Sequence, residues 1–212
     1  AAADASAAAK ALFEGISRKG AGLLGWTARA RQTQARICFL RRILGEPWPD
    51  VSDAAMTARP ERFFGAFAGG MRTWRQLEKI DLEAVLSAAL AAAGLSRREL
   101  ERLAPAKMRV PSGSEIAIRY DAGEPYAAVR LQETFGLKDA PLVADGRAKV
   151  VMHLLSPAQR PVQITKDLAS FWRNSYQLVR KDLRGRYPKH YWPEDPLTAT
   201  ATRRLRPPEV GR

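Results

Sequence analysis

The spacing of apolar positions divides the chain into a helical half and a strand-rich half. Residues 1–25 are rich in Ala and Gly. They predict a short helix around Ala5 to Phe13, then a loop, since Gly15, Gly20, Gly22 and Gly25 interrupt any longer helix. From Trp26 to Leu44 the period is helical. Trp26, Ala30, Ile37, Leu40 and Leu44 share a side, and Arg29, Arg36 and Arg42 are expected to look outward or sideways. Gly45 and Pro47 end this helix, and Ser52 or Asp53 caps the next. Arg59-Pro60 breaks that one, and an aromatic run of Phe63, Phe64, Phe67 and Trp74 comes after it. Asp81 to Ala93 is an Ala/Leu helix closed by Gly94. Ser96 with Glu99 three residues on is a capping box for a last short helix to Leu103. Residues 1–104 are therefore expected to be a helical region.

After Pro105 the period shortens. Met108 and Val110 precede a Pro-Ser-Gly-Ser turn. Ile116, Ile118 and Tyr120 then alternate with polar residues or Ala, as a half-buried strand does. Beyond the Asp121–Pro125 turn, Ala127, Val129 and Leu131 point to one side. Asp145-Gly146 turns into Val150 to Leu155, and Pro161 to Thr165 closes the set. Five short strands with a break after the third, followed by a helix, suit a small five-stranded β-barrel of the oligonucleotide-binding (OB-like) type. A generic small α+β sheet is the alternative. The fold class expected is α+β, with three parts: helices over 1–104, the barrel with a C-terminal extension over 105–197, and a Pro/Arg-rich disordered tail over 198–212.

The stretch from Ser156 to Trp192 carries eight Lys/Arg against two Asp, with six Phe, Tyr and Trp among them. Arg160 precedes the last strand. Thr165 or Asp167 can cap a helix running to about Leu183, which Gly185 and Pro188 then stop. On that helix Leu168, Phe171, Trp172, Ser175, Val179 and Leu183 form an apolar stripe. At about 100° per residue, Arg173, Arg180 and Arg184 cluster opposite it, with Tyr176 on their flank. Arginines on one helix can be no more than a solvated face. Here acids are sparse, and the helix runs into Arg186-Tyr-Pro-Lys189-His190-Tyr191-Trp192, where cations alternate with rings. Cations meet phosphates, and rings stack on unpaired bases.

Charge strengthens that reading. The 212 residues carry a net charge of +13 and are 46% hydrophobic, enough to bury a core while favouring a polyanion. No run approaches the length of a membrane span, and residues 1–9 lack the basic start and Leu/Val-rich centre of a signal peptide. One cysteine, Cys38, excludes an intramolecular disulfide and suits a reducing cytoplasm. Catalytic constellations are thin. His153 lies in an apolar strand and is expected to be packed and hydrogen-bonded. His190 has no nearby nucleophile, and Glu194-Asp195 is most simply a solvated turn. One cysteine and two scattered histidines make no zinc site. Gly15-Ile-Ser-Arg-Lys-Gly20 has the glycine spacing of a phosphate loop, but Ala21 and Gly22 stand where Lys and Ser/Thr are required. Catalytic, cofactor and metal residues are thus expected to be absent.

Several strings resemble one family. They include Trp48-Pro-Asp50, Leu103-Ala-Pro105, Val110-Pro-Ser-Gly-Ser114, Ala128-Val-Arg-Leu-Gln-Glu133, Phe135-Gly-Leu137, Leu154-Leu-Ser-Pro-Ala158, Arg160-Pro-Val-Gln163 and Leu183-Arg-Gly-Arg-Tyr-Pro-Lys-His-Tyr-Trp-Pro193. Together they are similar to the C-terminal region of bacterial ATP-dependent RNA helicases of the HrpB type, DEAH-box enzymes. The resemblance is dense from about Trp48 to Thr202 and looser before. It implies a chain cut from a longer helicase, whose motor domains use ATP and Mg and precede Ala1. It implies that 1–104 belongs to a helical domain beside the nucleic-acid channel. Every ATPase motif is missing, so no activity is expected of the chain alone. The expectation is a cytoplasmic accessory region that binds single-stranded RNA or other nucleic acid through Arg160, Arg173, Tyr176, Arg180, Arg184, Arg186, Lys189, His190, Tyr191 and Trp192. The alternative is an interaction module docking on the motor domains or another acidic protein.

Overall fold

The computed structural model describes the backbone of residues 2–207 and the side chains of residues 7–207. The chain divides into two compact units, residues 1–104 and 105–212.

The first unit is helical. Its elements are α1 (Ala2–Lys19), α2 (Ala28–Leu44), α3 (Asp53–Ala58), α4 (Pro60–Phe64), α5 (Trp74–Leu77), α6 (Leu82–Ala92) and α7 (Arg97–Leu103). Helix α1 runs well past the expected stop at Phe13. It buries Leu12, Phe13 and Ile16 on one face, and that burial outweighs the roughly 1 kcal/mol cost of Gly15 in the helix. Thr27 caps α2 by accepting from Ala30 N at 3.1 Å, and Gly45, at φ 75°, ends it. Ser52, rather than Asp53, caps α3, and the Ser96/Glu99 capping box of α7 is present. Ile37, Phe39, Leu40, Met56, Phe64, Leu77, Leu86 and Leu90 fill the core. At Gly25 a Cβ would lie 2.1 Å from the Glu78 carbonyl oxygen, so only glycine permits this close approach of two backbones.

Arg36 corrects the outward placement expected for it. It is buried, and its Nε donates to Ala104 O at 2.5 Å while Nη2 pairs with Glu101. The guanidinium thus satisfies the carbonyl at the end of α7, a C-terminus that attracts cations. Arg29 and Arg42 are exposed as expected.

The second unit is α+β. Its strands are β1 (Lys107–Arg109), β2 (Glu115–Ala117), β3 (Tyr126–Arg130), β4 (Leu142–Val143), β5 (Ala148–Lys149), β6 (Val151–Leu155) and β7 (Pro161–Thr165), followed by α8 (Leu168–Asn174) and α9 (Tyr176–Arg186). The five-stranded closed barrel does not appear among the described residues. The strands instead sort into three small sheets: β1 with β2, β4 with β5, and β3-β6-β7 with β6 central. The Asp145-Gly146 turn makes its own two-stranded hairpin rather than extending a neighbour. Strands of two or three residues are too short to close a ring. In the three-stranded sheet β3 and β6 are parallel, with Ala128 opposite His153, and β6 and β7 are antiparallel, with His153 opposite Ile164. The inner face carries Ala127, Val129, Met152 and Leu154, all buried.

The single helix expected from Lys166 to Leu183 is two. Asp167 caps α8, accepting from Ser170 N at 2.7 Å. At Ser175 the backbone turns to φ −117°, ending α8 and starting α9. Gly185 lies inside α9, which stops at Arg186. The chain beyond it does not leave the unit. Tyr191 N donates to Leu205 O, Gly136 N to Pro196 O, and Thr202 N to Gln132 O, all at 2.8–3.0 Å. The disorder expected from Thr198 is therefore replaced, as far as Arg206, by a segment hydrogen-bonded to the loop after β3. Residues 208–212 of that tail lie outside the described residues.

Candidate nucleic-acid interface

Helix α9 and the segment after it hold most of the expected binding residues, and the structure sorts them into two groups. The first group is structural. Tyr176 is fully buried, with ring contacts to Phe135, Phe171 and Trp172 at 5.4–6.4 Å, and its hydroxyl donates to Pro193 O at 2.8 Å. Burial pushes its phenol well above the ordinary range. Trp192 is also buried, and its Nε1 donates to Tyr187 O at 2.9 Å. Arg180 is largely covered. Its Nε donates to Trp192 O at 3.0 Å, and Nη2 lies 3.5 Å from Glu194. Tyr191 is half-buried edge-on against Phe135, and its carbonyl accepts from Gln132.

These positions correct the expectation that Tyr176, Arg180 and Trp192 face a ligand. The cause is the return of residues 187–196 across α9. On a single continuous helix Tyr176 would lie about 40° from Trp172 and about 20° beyond Leu183, at the edge of the apolar stripe. The returning segment covers that stripe's far edge together with Arg180. Tyr176 therefore belongs with Leu168, Phe171, Trp172 and Leu183, which are buried, while Val179 is half-exposed.

The second group is free to meet an anion. Arg160, Arg173, Arg184 and Lys189 are exposed, and no acidic partner lies within 4 Å of any of them among the described residues. Arg186 is also exposed and pairs with Asp182 one turn back at 3.1 Å, a surface pair worth little to stability. Arg173 ends α8, so the break at Ser175 separates it from the α9 cations. Arg160 and Arg186 come together. With Ser156, Val162, Asp182 and Tyr187 they line a groove of about 310 Å³ between α9 and the β6-β7 turn. The turn is held by Arg160 N donating to Ser156 Oγ at 3.2 Å. Leu178, 76% exposed, forms part of the same groove.

His190 sits beside this groove, edge-on to Tyr187 at 5.8 Å. Its Nδ1 is buried without a partner. Burial, and then the nearby Arg130, hold its pKa below the ordinary histidine value. The His153 ring, expected to be hydrogen-bonded, has no hydrogen-bond partner among the described residues. It stacks on Tyr126, rings 4.8 Å apart at 20°, on the outer face of the sheet. The parity of β3 carries this information: if Ala127 and Val129 point in, Tyr126, Ala128 and Arg130 point out.

The Gly15–Gly20 spacing lies on α1 and the turn ending it, not on a loop after a strand, so it does not fit an ATP phosphate cradle. Among the described residues, no three His, Cys, Asp or Glu gather around a point where a metal such as Mg could sit. Burial, and then Asp50, raise the Cys38 thiol to about 11, which leaves it protonated and unreactive at neutral pH. No helix among the described residues is long and apolar enough to cross a membrane.

Residues 63–196 match the HrpB C-terminal family, described as ATP-dependent helicase C-terminal. The chain belongs to that family. As a member of the HrpB C-terminal family it is 43% identical, over 199 residues, to the ATP-dependent RNA helicase HrpB of Escherichia coli (strain K12); these cover 93% of this chain and 24% of that protein. A crystal structure of the E. coli DExH-box NTPase HrpB superposes with a TM-score of 0.81 at 42% identity, covering 91% of this chain and 24% of the other. A second crystal structure, of the Escherichia coli DEAH/RHA helicase HrpB, gives 0.67 at 39% identity, covering 85% and 23%. The chain thus spans about a quarter of the length of these relatives, and the family's C-terminal region is the part it matches.

Proposed function

We propose that this region binds single-stranded RNA for an ATP-driven helicase whose motor domains lie in another part of the protein. The observation that carries the reading is the unpaired state of Arg160, Arg173, Arg184 and Lys189 on one small unit. A unit that exposes several guanidinium and ammonium groups with no carboxylate paired to them attracts a polyanion. Arg160 and Arg186 at the groove offer phosphate contacts, which position a strand without reading its sequence. ATP hydrolysis belongs to the motor domains. This region adds affinity along the strand and supports the channel. That the relatives are an ATP-dependent RNA helicase and a DExH-box NTPase supports the reading.

A second reading rests on Leu178. A leucine this exposed beside a groove also suits a protein contact, in which the basic surface would dock on an acidic face of the motor domains. Titration of the chain with a fluorescent single-stranded RNA at several salt concentrations separates the two. Binding that weakens linearly in log–log form, with a slope of roughly 0.7 per phosphate contact, supports the RNA reading. Absence of measurable binding at low salt sinks it in favour of docking.

A further inference from the structure

The stacked Tyr126/His153 pair takes no part in the core and no part in the groove, yet it is the one ordered ring stack on the outer face of the three-stranded sheet among the described residues. We propose that this face is a second contact for the same strand: a platform on which unpaired bases stack, while the α9 groove holds phosphates. The proposal rests on the RNA-binding reading above and extends it to a surface that reading does not use.

The backbone places the platform. Tyr126 and His153 stand on β3 and β6, one step diagonal to each other in the parallel register, and Ala128, directly opposite His153, adds only a methyl group to the face. The bridge between Arg119 and Tyr126 brings Arg119 to the same side, and Arg130 lies two positions beyond Ala128 on β3. Ile164, opposite His153 on β7, is 56% exposed. No carboxylate occupies an outward position among these residues; Asp121 and Glu133, which pair with Arg119 and Arg130, lie in turns beyond the strands.

Two features favour nucleic acid over a protein partner. First, neither the Tyr126 hydroxyl nor either His153 nitrogen has a hydrogen-bond partner among the described residues. A stacked pair with free polar edges is suited to a base, which has its own donors and acceptors at its rim. A dry protein interface would leave those groups unsatisfied. Second, the face leads to the groove. Arg130 lies opposite Leu155, the electrostatic influence of Arg130 reaches His190, and the next residue after Leu155, Ser156, lines the groove with its Oγ 3.5 Å from the Tyr187 hydroxyl. From His153 to Ser156 is about 10 Å of strand, a distance one short single strand spans while touching both surfaces. Rings beside cations on an open sheet are a sequence-tolerant way of holding unpaired bases.

The test compares two fluorescent ligands of about ten nucleotides, an oligouridine and an abasic strand of the same length, titrated into the 212-residue chain. Tyr126→Ala and His153→Ala should each weaken oligouridine binding by about 5- to 150-fold, the range for one lost base stack. They should leave the salt slope unchanged and change affinity for the abasic strand less than about twofold. His153→Gln, which keeps a polar side chain of similar reach, guards against a sheet damaged by Ala and should behave like His153→Ala. Thermal unfolding verifies that each variant is folded. Wild-type affinity in folded His153→Gln and Tyr126→Ala, alongside weakened binding in Arg160→Gln, overturns the platform and leaves the RNA reading standing. Equal losses on both ligands show the rings acting through the fold and also overturn it. If the variants instead lose association with the motor region supplied separately, the face is a protein contact and the proposal falls. An unmodified chain that binds neither ligand overturns platform and RNA reading together.

Discussion

Removing the Tyr176 hydroxyl separates a structural tyrosine from a ligand-binding one. In Tyr176→Phe the ring stays in its box of Phe135, Phe171 and Trp172, and only the hydrogen bond to Pro193 O is lost. Pro193 is half-exposed, so water can take up its freed carbonyl. The expected cost is then the net worth of one hydrogen bond, about 0.5–1.5 kcal/mol. For a chain of this size that lowers the melting temperature by roughly 1–6 °C. Tyr176→Ala removes a fully buried ring as well, and should cost about 3–5 kcal/mol. Circular dichroism melts measure both, and fluorescence anisotropy with single-stranded RNA measures the second consequence. Because Tyr176 is fully buried, Tyr176→Phe should bind RNA like the unmodified chain. A Tyr176→Phe protein that melts unchanged but binds RNA several-fold more weakly would refute the reasoning, since the hydroxyl would then face the ligand.

The geometry sets three further outcomes. Gly25→Ala should destabilise the helical unit by about 1–3 kcal/mol or more in a urea titration, because its Cβ would meet Glu78 O at 2.1 Å. For His190, burial lowers the folded pKa below the ordinary 6.5, so the unfolded state binds the proton more readily; stability is whole above about pH 6.5 and falls as pH drops through the window beneath it. Melts from pH 8 to pH 5 on the parent and His190→Asn should show that loss only in the parent. Replacing Arg160 and Arg184 with Gln should flatten the salt dependence of RNA binding by roughly 0.7 per lost phosphate contact, whereas a slope identical to the parent's would remove them from the interface.

Much of the helical unit is legible in the sequence because its signals are local. Gly45, Ser52, Gly94 and the Ser96/Glu99 box act within one turn, and each marks a real boundary. Arg36 defeats that logic because its reason lies at Ala104, 68 residues away. The inward set of β3 is likewise readable from alternation, while the partners of each strand are not: nothing local says that β6 pairs with both β3 and β7. In the candidate interface the cations that stay exposed are recognisable as a basic face. Tyr176, Arg180 and Trp192 escape sequence reasoning because a helical wheel treats α9 as having one covered side. A segment folding back from beyond residue 186 covers a second.

That returning segment also sets an order for making the protein. Gln132 and Gly136 leave the ribosome early in the second unit, but the groups that complete them, Thr202 N and Pro196 O, emerge 60 to 70 residues later. At about 5–20 residues per second, Phe135 and its neighbours wait roughly 3–14 s without the strap that seals them. Trp172 and Tyr176 follow 37 and 41 residues after Phe135, so for the last roughly 1–5 s of that interval the nascent unit presents the three rings as an unsealed aromatic cluster, the kind of surface to which chaperones bind.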